Sequence, residues 1–147
     1  MAIASKNMEQ AIIDKLIERV KLINGSTNYN FNIKRENIFE DLKGATEINN
    51  YPSICFGALR LEQSESPTRD EFIVPIIVEL WGYVKNPKNP LQDAAKLLSD
   101  LRIAIGFDET LADKISEFAF AADMGAVGDI GFIRFEVTGK FEFVLIQ

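Results

Sequence analysis

Residues 130–146 alternate between apolar and polar side chains more regularly than any other part of the sequence. Successive side chains of a β-strand point to opposite faces, so this alternation predicts a strand with one face in the core and one in water. Such a half-buried strand is typical of an antiparallel sheet. Gly139 interrupts the pattern and indicates a bulge or a bend, so the segment forms either one long bent strand or two. The apolar side is made of Ile133, Phe135, Val137, Phe141, Phe143 and Leu145.

Two segments carry apolar residues at the three- and four-residue spacing of amphipathic helices. The first covers residues 7–23 and the second covers residues 90–106. Asp100 lies between the apolar positions of the second helix and is predicted to point outward. The apolar stripes are Met8, Ala11, Ile12, Leu16, Val20 and Ile23 in the first helix, and Leu91, Ala94, Ala95, Leu98, Leu101 and Ile105 in the second.

The rest of the chain predicts further strands around residues 37–41, 52–62, 71–84 and 114–122. The polar residues 63–70 join two of these strands as the long tip of a hairpin. Gly125, Gly128 and Gly131 are interpreted as a flexible turn before the last strand. The order of helix, strands, helix and strands predicts one α+β domain over residues 1–147, an antiparallel β-sheet with two amphipathic helices packed on one face.

The strand over residues 72–78 is apolar on both of its faces. A strand of this kind is expected to be covered on both sides, by a helix on one side and by something else on the other. Pro75 lies within it and lacks the N–H that a sheet ladder requires. The sequence therefore predicts either a bulge at Pro75 or an edge strand that a partner completes.

The composition argues against most catalytic mechanisms. The chain has no histidine, which is the commonest general base and the commonest metal ligand. Cys55 is the only cysteine, so it forms no disulfide within the chain, and it is predicted to be a buried small apolar residue rather than a nucleophile. The sequence also contains neither a phosphate-binding glycine loop nor a nucleophile elbow. We therefore expect no enzyme activity, no cofactor and no metal.

The charge is acidic and unevenly distributed. The formal net charge is −6, and a protein of this sign repels the phosphate backbone of nucleic acids. One acidic cluster, with Lys114 as its single base, contains Asp108, Glu109, Asp113, Glu117, Asp123 and Asp129. The cluster is either a solvated acidic rim or a surface across which DNA must slide without being held. The N-terminus lacks the pattern of a signal peptide and no segment is long and apolar enough to span a membrane, so a cell interior is the expected location.

Short patches along almost the whole chain resemble the tail terminator family of long-tailed bacteriophages, also called tail completion or minor tail proteins. They are Tyr51-Pro52-Ser53-Ile54, Glu79-Leu80-Trp81-Gly82-Tyr83, Asp108-Glu109-Thr110-Leu111, the two helices and the alternating last strand. The chain departs from the family pattern at Ala112-Asp113, where glycines are expected.

The resemblance implies a structural protein rather than an enzyme. Its copies are expected to form a ring, commonly a hexamer in this family, that caps the tail tube, stops its growth and connects the tail to the head. The implied partners are further copies of the chain, the tail tube protein and the head-tail connector or neck protein. DNA is expected to pass through without tight binding, no membrane is involved, and the protein is expected in the tail or neck of the virion after assembly in the host cytoplasm.

Two groups of residues are candidate sites under this resemblance. The hairpin tip and the doubly apolar strand are expected to contact a neighbouring subunit or the tube, although the tip is equally well interpreted as a disordered loop. These contact residues are Glu62, Glu65, Arg69, Asp70, Ile73, Pro75, Ile77, Trp81 and Tyr83. The acidic cluster is expected to face the lumen of the ring.

A second function class fits the same pattern of elements. An α+β domain of this size can hold a pocket between its helices and its phenylalanine-rich strands, in which it binds or hydrolyses a small ligand. Trp81 and Tyr83 fall on the same strand face and could stack on such a ligand, or they could cover a core edge or an interface. The assembly state separates this alternative from the ring.

Overall fold

A computed structural model of the chain describes residues 2–3, 8–26, 28–62, 65–68, 71–106 and 115–144. Within these residues the helices are α1 (Met8–Val20) and α2 (Pro90–Gly106). The strands are β1 (Ala2–Ile3), β2 (Ile38–Phe39), β3 (Ser53–Leu61), β4 (Glu65–Thr68), β5 (Glu71–Lys85), β6 (Ile115–Val127) and β7 (Ile130–Val144). This arrangement confirms the α+β class.

The strands form one sheet around β5 and β7, which pair antiparallel along their whole length. β3 and β4 pair with the other side of β5, and β6 pairs with the other side of β7, all antiparallel. Two short pairs are parallel, β1 with β7 and β2 with β3. The sheet is therefore mixed, and the prediction of a purely antiparallel sheet is right for the long strands and wrong for these two-residue strands.

Both helices contribute to one core with one face of the sheet, which we call the helix face. Alternate residues of β5 and β7 are buried there, because side chains of a strand point alternately to its two faces. The Arg19 side chain also joins the helices, since its Nε donates to the carbonyl of Ala104 at 2.8 Å. The buried residues of this core include Ile12, Leu16, Val20, Leu97, Leu101, Ile105, Val74, Ile76, Val78, Leu80, Ile133, Phe135 and Val137.

The first helix is shorter than its apolar pattern. α1 ends at Val20, although Ile23 is buried in the same core. The N–H groups of Leu22 and Ile23 bond three residues back, to the carbonyls of Arg19 and Val20, so the chain tightens into a turn there. Apolar spacing alone does not distinguish such a turn from a further helical turn.

Asp100 points inward, and the prediction that it faces solvent is wrong. Its side chain is fully buried and accepts hydrogen bonds from the backbone N–H groups of Asn30 and Phe31, at 2.9 and 3.0 Å from the nearer oxygen. The Asn30 side-chain amide donates to the same carboxylate at 3.1 Å. Asp100 therefore anchors the loop after α1 to the second helix.

Pro75 lies in a central strand, so the prediction of a bulge or an unpaired edge is wrong. The β5–β7 register runs through Pro75 without a shift, and Pro75 pairs with Lys140. Its carbonyl accepts a hydrogen bond from the N–H of Glu62 at 2.9 Å, so its backbone polar groups face the β3 and β4 side. The reciprocal bond, from the nitrogen of residue 75 to the Glu62 carbonyl, is the one that proline cannot donate, and β3 ends just before it, at Leu61.

The segment before the last strand is a strand rather than a flexible turn. β6 continues through Gly125 to Val127, and the chain reverses at Gly128-Asp129, where Gly128 has a φ of +61°. β7 is one strand without interruption, because Gly139 pairs with Ile76 in the regular register. The β6–β7 pair is thus a long hairpin at one side of the sheet.

Candidate interaction surfaces

The face of the sheet opposite the helices, here the open face, carries a row of apolar residues on β5. Ile73, Pro75 and Ile77 are half-buried, whereas Val74 and Ile76 between them are buried in the helix-face core. We call these three half-buried residues the open patch. The strand is therefore apolar on both faces, as predicted, but only the helix-side residues are fully buried within the chain.

Polar side chains border the open patch on the neighbouring strands. Arg60 of β3 and Thr138 of β7 both pair with Ile77, and Lys140 pairs with Pro75. Arg60 is exposed, whereas Thr138 and Lys140 are half-buried, like the patch itself. An apolar patch with a polar border is the usual composition of a protein–protein contact surface.

A charged network lies on the open face next to the patch. The Arg134 side chain donates to Glu79 Oε2 from Nε at 3.0 Å and from Nη2 at 2.8 Å, while the Trp81 indole N–H donates to Glu79 Oε1. Arg134 Nη1 also lies 3.3 Å from Glu136 and 3.7 Å from Asp123. The network ties together β5, β6 and β7 across this face.

The network determines the protonation of Glu79. Partial burial alone would raise the pKa of this carboxyl, but the hydrogen bonds from Trp81 and Arg134 outweigh burial and hold the pKa below its ordinary value. Glu79 is therefore an ionised, fully hydrogen-bonded acceptor. Such a group orients Trp81 and leaves little basicity for proton transfer.

Tyr83 belongs to a second, smaller core at the other end of the open face. It is buried with Ile48 and Cys55, and its hydroxyl donates to the carbonyl of Lys43 at 2.9 Å. Cys55 is buried as predicted, and burial raises the pKa of its thiol. Of the two aromatic residues predicted at an interface, Trp81 is half-buried, whereas Tyr83 is covered by the chain's own loop.

A cavity of about 270 Å³ lies beside this second core. Trp81 of β5 and Leu42 of the loop, which is 54% exposed, both line this cavity. The remaining lining residues are Lys43, Gly44, Glu47 and Tyr83. The open face thus has a concave apolar site next to its flat apolar patch.

The hairpin tip is only partly described. Glu62 is exposed, and its side chain pairs with Arg60 at 3.2 Å. The backbone of Glu65 lies in β4, but its side chain and the whole of Arg69 and Asp70 lie outside the described residues. The predicted contact role of the tip therefore stays a prediction.

The acidic cluster is also only partly described. Asp108, Glu109 and Asp113 lie outside the described residues, as does the side chain of Glu117 in β6. Asp123 and Asp129 are described, and each carboxylate lies 3.7 Å from a cation, Arg134 Nη1 for the first and Lys85 Nζ for the second. These two acids lie on the β6–β7 hairpin and are partly neutralised, Asp123 by Arg134 of β7 and Asp129 by Lys85 of β5.

The outer edge of β6 is a surface that the sequence analysis missed. Its residues Phe120, Met124 and Val127 are large, apolar and exposed. The strand predicted from the sequence ends at residue 122, before Gly125 and Gly128. The Gly128-Asp129 pair between two apolar residues is a two-residue hairpin signal and would have extended the strand to Val127.

A second cavity, of about 440 Å³, lies between α2 and β6. Phe120 lines it from the strand, and the helix contributes Ser99, Arg102, Ile103 and Gly106. The Phe120 ring also contacts Phe135 of β7, with the ring centres 5.3 Å apart. This cavity has the position that the pocket alternative requires, between a helix and a phenylalanine-rich strand.

No group of three or more acidic or cysteine side chains in the described part of the chain is arranged to hold a metal ion. None of the described helices is long and apolar enough to cross a membrane. The sequence matches no protein-family profile and no curated protein. The surfaces described above are therefore the basis for a functional proposal.

Proposed function

We propose that this protein is a structural subunit of a ring that ends the tail tube of a long-tailed bacteriophage and connects the tail to the head. The observation that supports the proposal is the open patch on β5. Three apolar residues in the centre of the sheet, Ile73, Pro75 and Ile77, remain half-buried in a single copy while the alternate residues are buried.

Burial of this patch by a neighbour would stabilise an assembly. Removing apolar surface from water contributes about 25 cal/mol per Å², so even a small patch adds measurably to a contact. The patch and its polar border lie on one face, and a different surface of the next copy has to cover them, because the same face on both copies would give only a dimer. Such head-to-tail contacts close into a ring when the rotation between copies allows it.

Microscopy of the purified protein tests the proposal. Negative-stain images of the wild type should show rings, and Ile77→Lys should abolish them, because a charge in the patch would be buried without a partner. Leu91→Lys is the matched control, since Leu91 on α2 is 49% exposed and lies outside the patch. Rings should persist in this control.

Two results would contradict the ring. One is a wild-type protein that stays monomeric at every concentration, alone and with tube protein. The other is an Ile77→Lys variant with a native circular dichroism spectrum that forms rings as well as the wild type does.

The acidic cluster is assigned to the lumen in this proposal. Carboxylates facing the channel would keep DNA phosphates at a distance, which fits the net charge of −6. Replacing the acids of the cluster by their amides should slow DNA delivery by assembled particles and raise the affinity of the rings for DNA. Unchanged DNA delivery would remove the lumen assignment but not the ring.

The cavity between α2 and β6 favours a second candidate, a domain that binds a small ligand. Its volume of about 440 Å³ is large enough for a small organic molecule, and Arg102 would attract an anionic group. Fluorescence of an anilinonaphthalene sulfonate probe should then rise on binding to the monomer and fall in Arg102→Ala. Rings together with no binding of the probe would exclude this candidate.

A further inference from the structure

Among the residues that the structure describes, β6 forms an edge of the sheet. In the described part of the chain it pairs only with β7, and residues 119–124 are all exposed. Edge strands present unpaired N–H and C=O groups, and proteins usually protect them with lysines, prolines or a covering segment. Residues 119–127 contain neither lysine nor proline, and Asp123 is their only charged residue.

The hairpin turn determines which backbone groups of β6 point outward. Val127 and Ile130 flank the Gly128-Asp129 turn and pair with each other. The residues that flank a two-residue turn exchange both backbone hydrogen bonds, and the pattern alternates along the strands. The outward N–H and C=O groups of β6 therefore belong to Phe120, Ala122, Met124 and Ala126.

The side chains of these four residues are apolar and share one face. Phe120 is 38% exposed and Met124 is 46% exposed, and the alanines beside them are also exposed. They pair with Val137, Phe135, Ile133 and Gly131 of β7, so they lie on the helix face, at its rim. A strand added to β6 would gain backbone hydrogen bonds and apolar contact at the same residues.

We propose that β6 pairs antiparallel with β6 of a second copy of this chain, around a twofold axis at Ala122. In this register Ala122 lies opposite Ala122, and each Phe120 lies opposite the Met124 of the other copy. Phe120 and Met124 thus face each other at two symmetry-related positions, and the small Ala122 lies on the axis. Thioether sulfurs also make favourable contacts with aromatic rings.

The charge pattern of β6 selects this register. With the axis at Ala122, Asp123 lies opposite Ala121 of the second copy. With the axis at Asp123, the two carboxylates would lie directly opposite each other, which is destabilising. Asp123 thus permits self-pairing in one register and disfavours the adjacent one. Arg134 Nη1, 3.7 Å from the Asp123 carboxylate, partly compensates its negative charge.

A cysteine on the axis tests this contact. Residues that pair with hydrogen bonds in an antiparallel sheet have Cα atoms about 5.5 Å apart, which is within the range for a disulfide. Ala122→Cys should therefore form a covalent dimer under mild oxidation. Val127→Cys is the control, because Val127 is 72% exposed but lies far from its own copy in this register. The native Cys55 is buried and should not react.

A proline on the axis gives a second, independent readout. The N–H of Ala122 points away from β7, so Ala122→Pro removes no hydrogen bond of the β6–β7 ladder and should fold normally. The particle mass measured by sedimentation should fall by a factor of two relative to the wild type. The far-UV circular dichroism should remain unchanged.

The outcomes are distinct from those of the ring proposal, because the open patch and the β6 edge are separate surfaces. Equal cross-linking of Ala122→Cys and Val127→Cys, or none in either, would overturn the paired-edge contact. So would an Ala122→Pro particle of unchanged mass. If a strand of another protein occupies this edge, Ala122→Cys stays uncross-linked and the proposal fails. Loss of the ring in Ile77→Lys leaves the covalent dimer of Ala122→Cys intact.

Discussion

The buried carboxylate of Asp100 connects α2 to the loop that follows α1. Asp100 is fully buried on α2, yet all of its partners are donors on residues 30–31, far away in sequence. A helical periodicity counts apolar residues and therefore treats any aspartate as part of the polar face. The Asp100 side chain points inward because three N–H donors on residues 30–31 need an acceptor, and no local sequence pattern indicates these donors.

Removing this carboxylate should destabilise the protein strongly. Asp100→Ala removes the acceptor from the part-buried N–H groups of Asn30 and Phe31, and an unsatisfied buried group costs about 1–3 kcal/mol. We expect the free energy of unfolding to fall by about 2–4 kcal/mol, measured by urea denaturation. Asp93→Ala is a matched control, because Asp93 lies on the same helix and is only half-buried. A loss as small as that of the control would contradict this role.

The same residue should give the stability a characteristic pH dependence. Burial raises the pKa of Asp100 above its ordinary value of 3.8, although hydrogen bonds from Asn30 and Phe31 oppose the increase. Just above this value the unfolded chain has lost a proton that the folded chain still holds, so the contribution of Asp100 to stability decreases as pH rises. Subtracting the pH profile of Asp100→Asn from that of the wild type should show this decline, and a flat difference would contradict it.

At the scale of elements, a glycine fixes how α2 sits on the sheet. A Cβ atom at Gly131 of β7 would lie 2.1 Å from the backbone carbonyl oxygen of Pro90, at the start of the helix. Helix and strand approach so closely there that no larger residue fits without moving one of them. The sequence does not indicate this contact, because the glycine and the proline lie in different elements.

Gly131→Ala should therefore destabilise the fold. Forcing an extra methyl group into a well-packed site costs about 1–3 kcal/mol, and the neighbour here is backbone rather than a movable side chain. Gly44→Ala is the control, because the nearest atom to its Cβ would be 3.7 Å away and its φ of −77° suits alanine. Thermal unfolding of both variants checks the prediction, and equal melting temperatures would contradict it.

Most of the helices and strands can be predicted from the sequence. The places where the prediction fails show which information the sequence pattern lacks. The alternation over β7 and the capped apolar stripe of α2 carry their own periodicity, so both were predicted closely. Pro75 was misplaced because its tolerance depends on the gap between β3 and β4, which is a property of strand pairing. The edge of β6 is not visible in the sequence for a similar reason, because glycines predict a turn where the strand continues.

At the scale of the whole molecule, two apolar surfaces are incompletely covered by the residues that the structure describes. One is the open patch on β5, and the other is the outer edge of β6 with Phe120 and Met124. The doubly apolar character of β5 was visible in the sequence, whereas the position of the patch at the centre of the sheet follows only from the pairing. Both surfaces favour a protein that works as part of an assembly.

The mass of the native particle tests the account most directly. Light scattering over a dilution series, alone and with tail tube protein, should give a particle of several chains, each of 16.5 kDa, in which each ring has six chains. Association should weaken in Ile77→Lys and not in Leu91→Lys. A mass that never exceeds two chains under any of these conditions would contradict the ring.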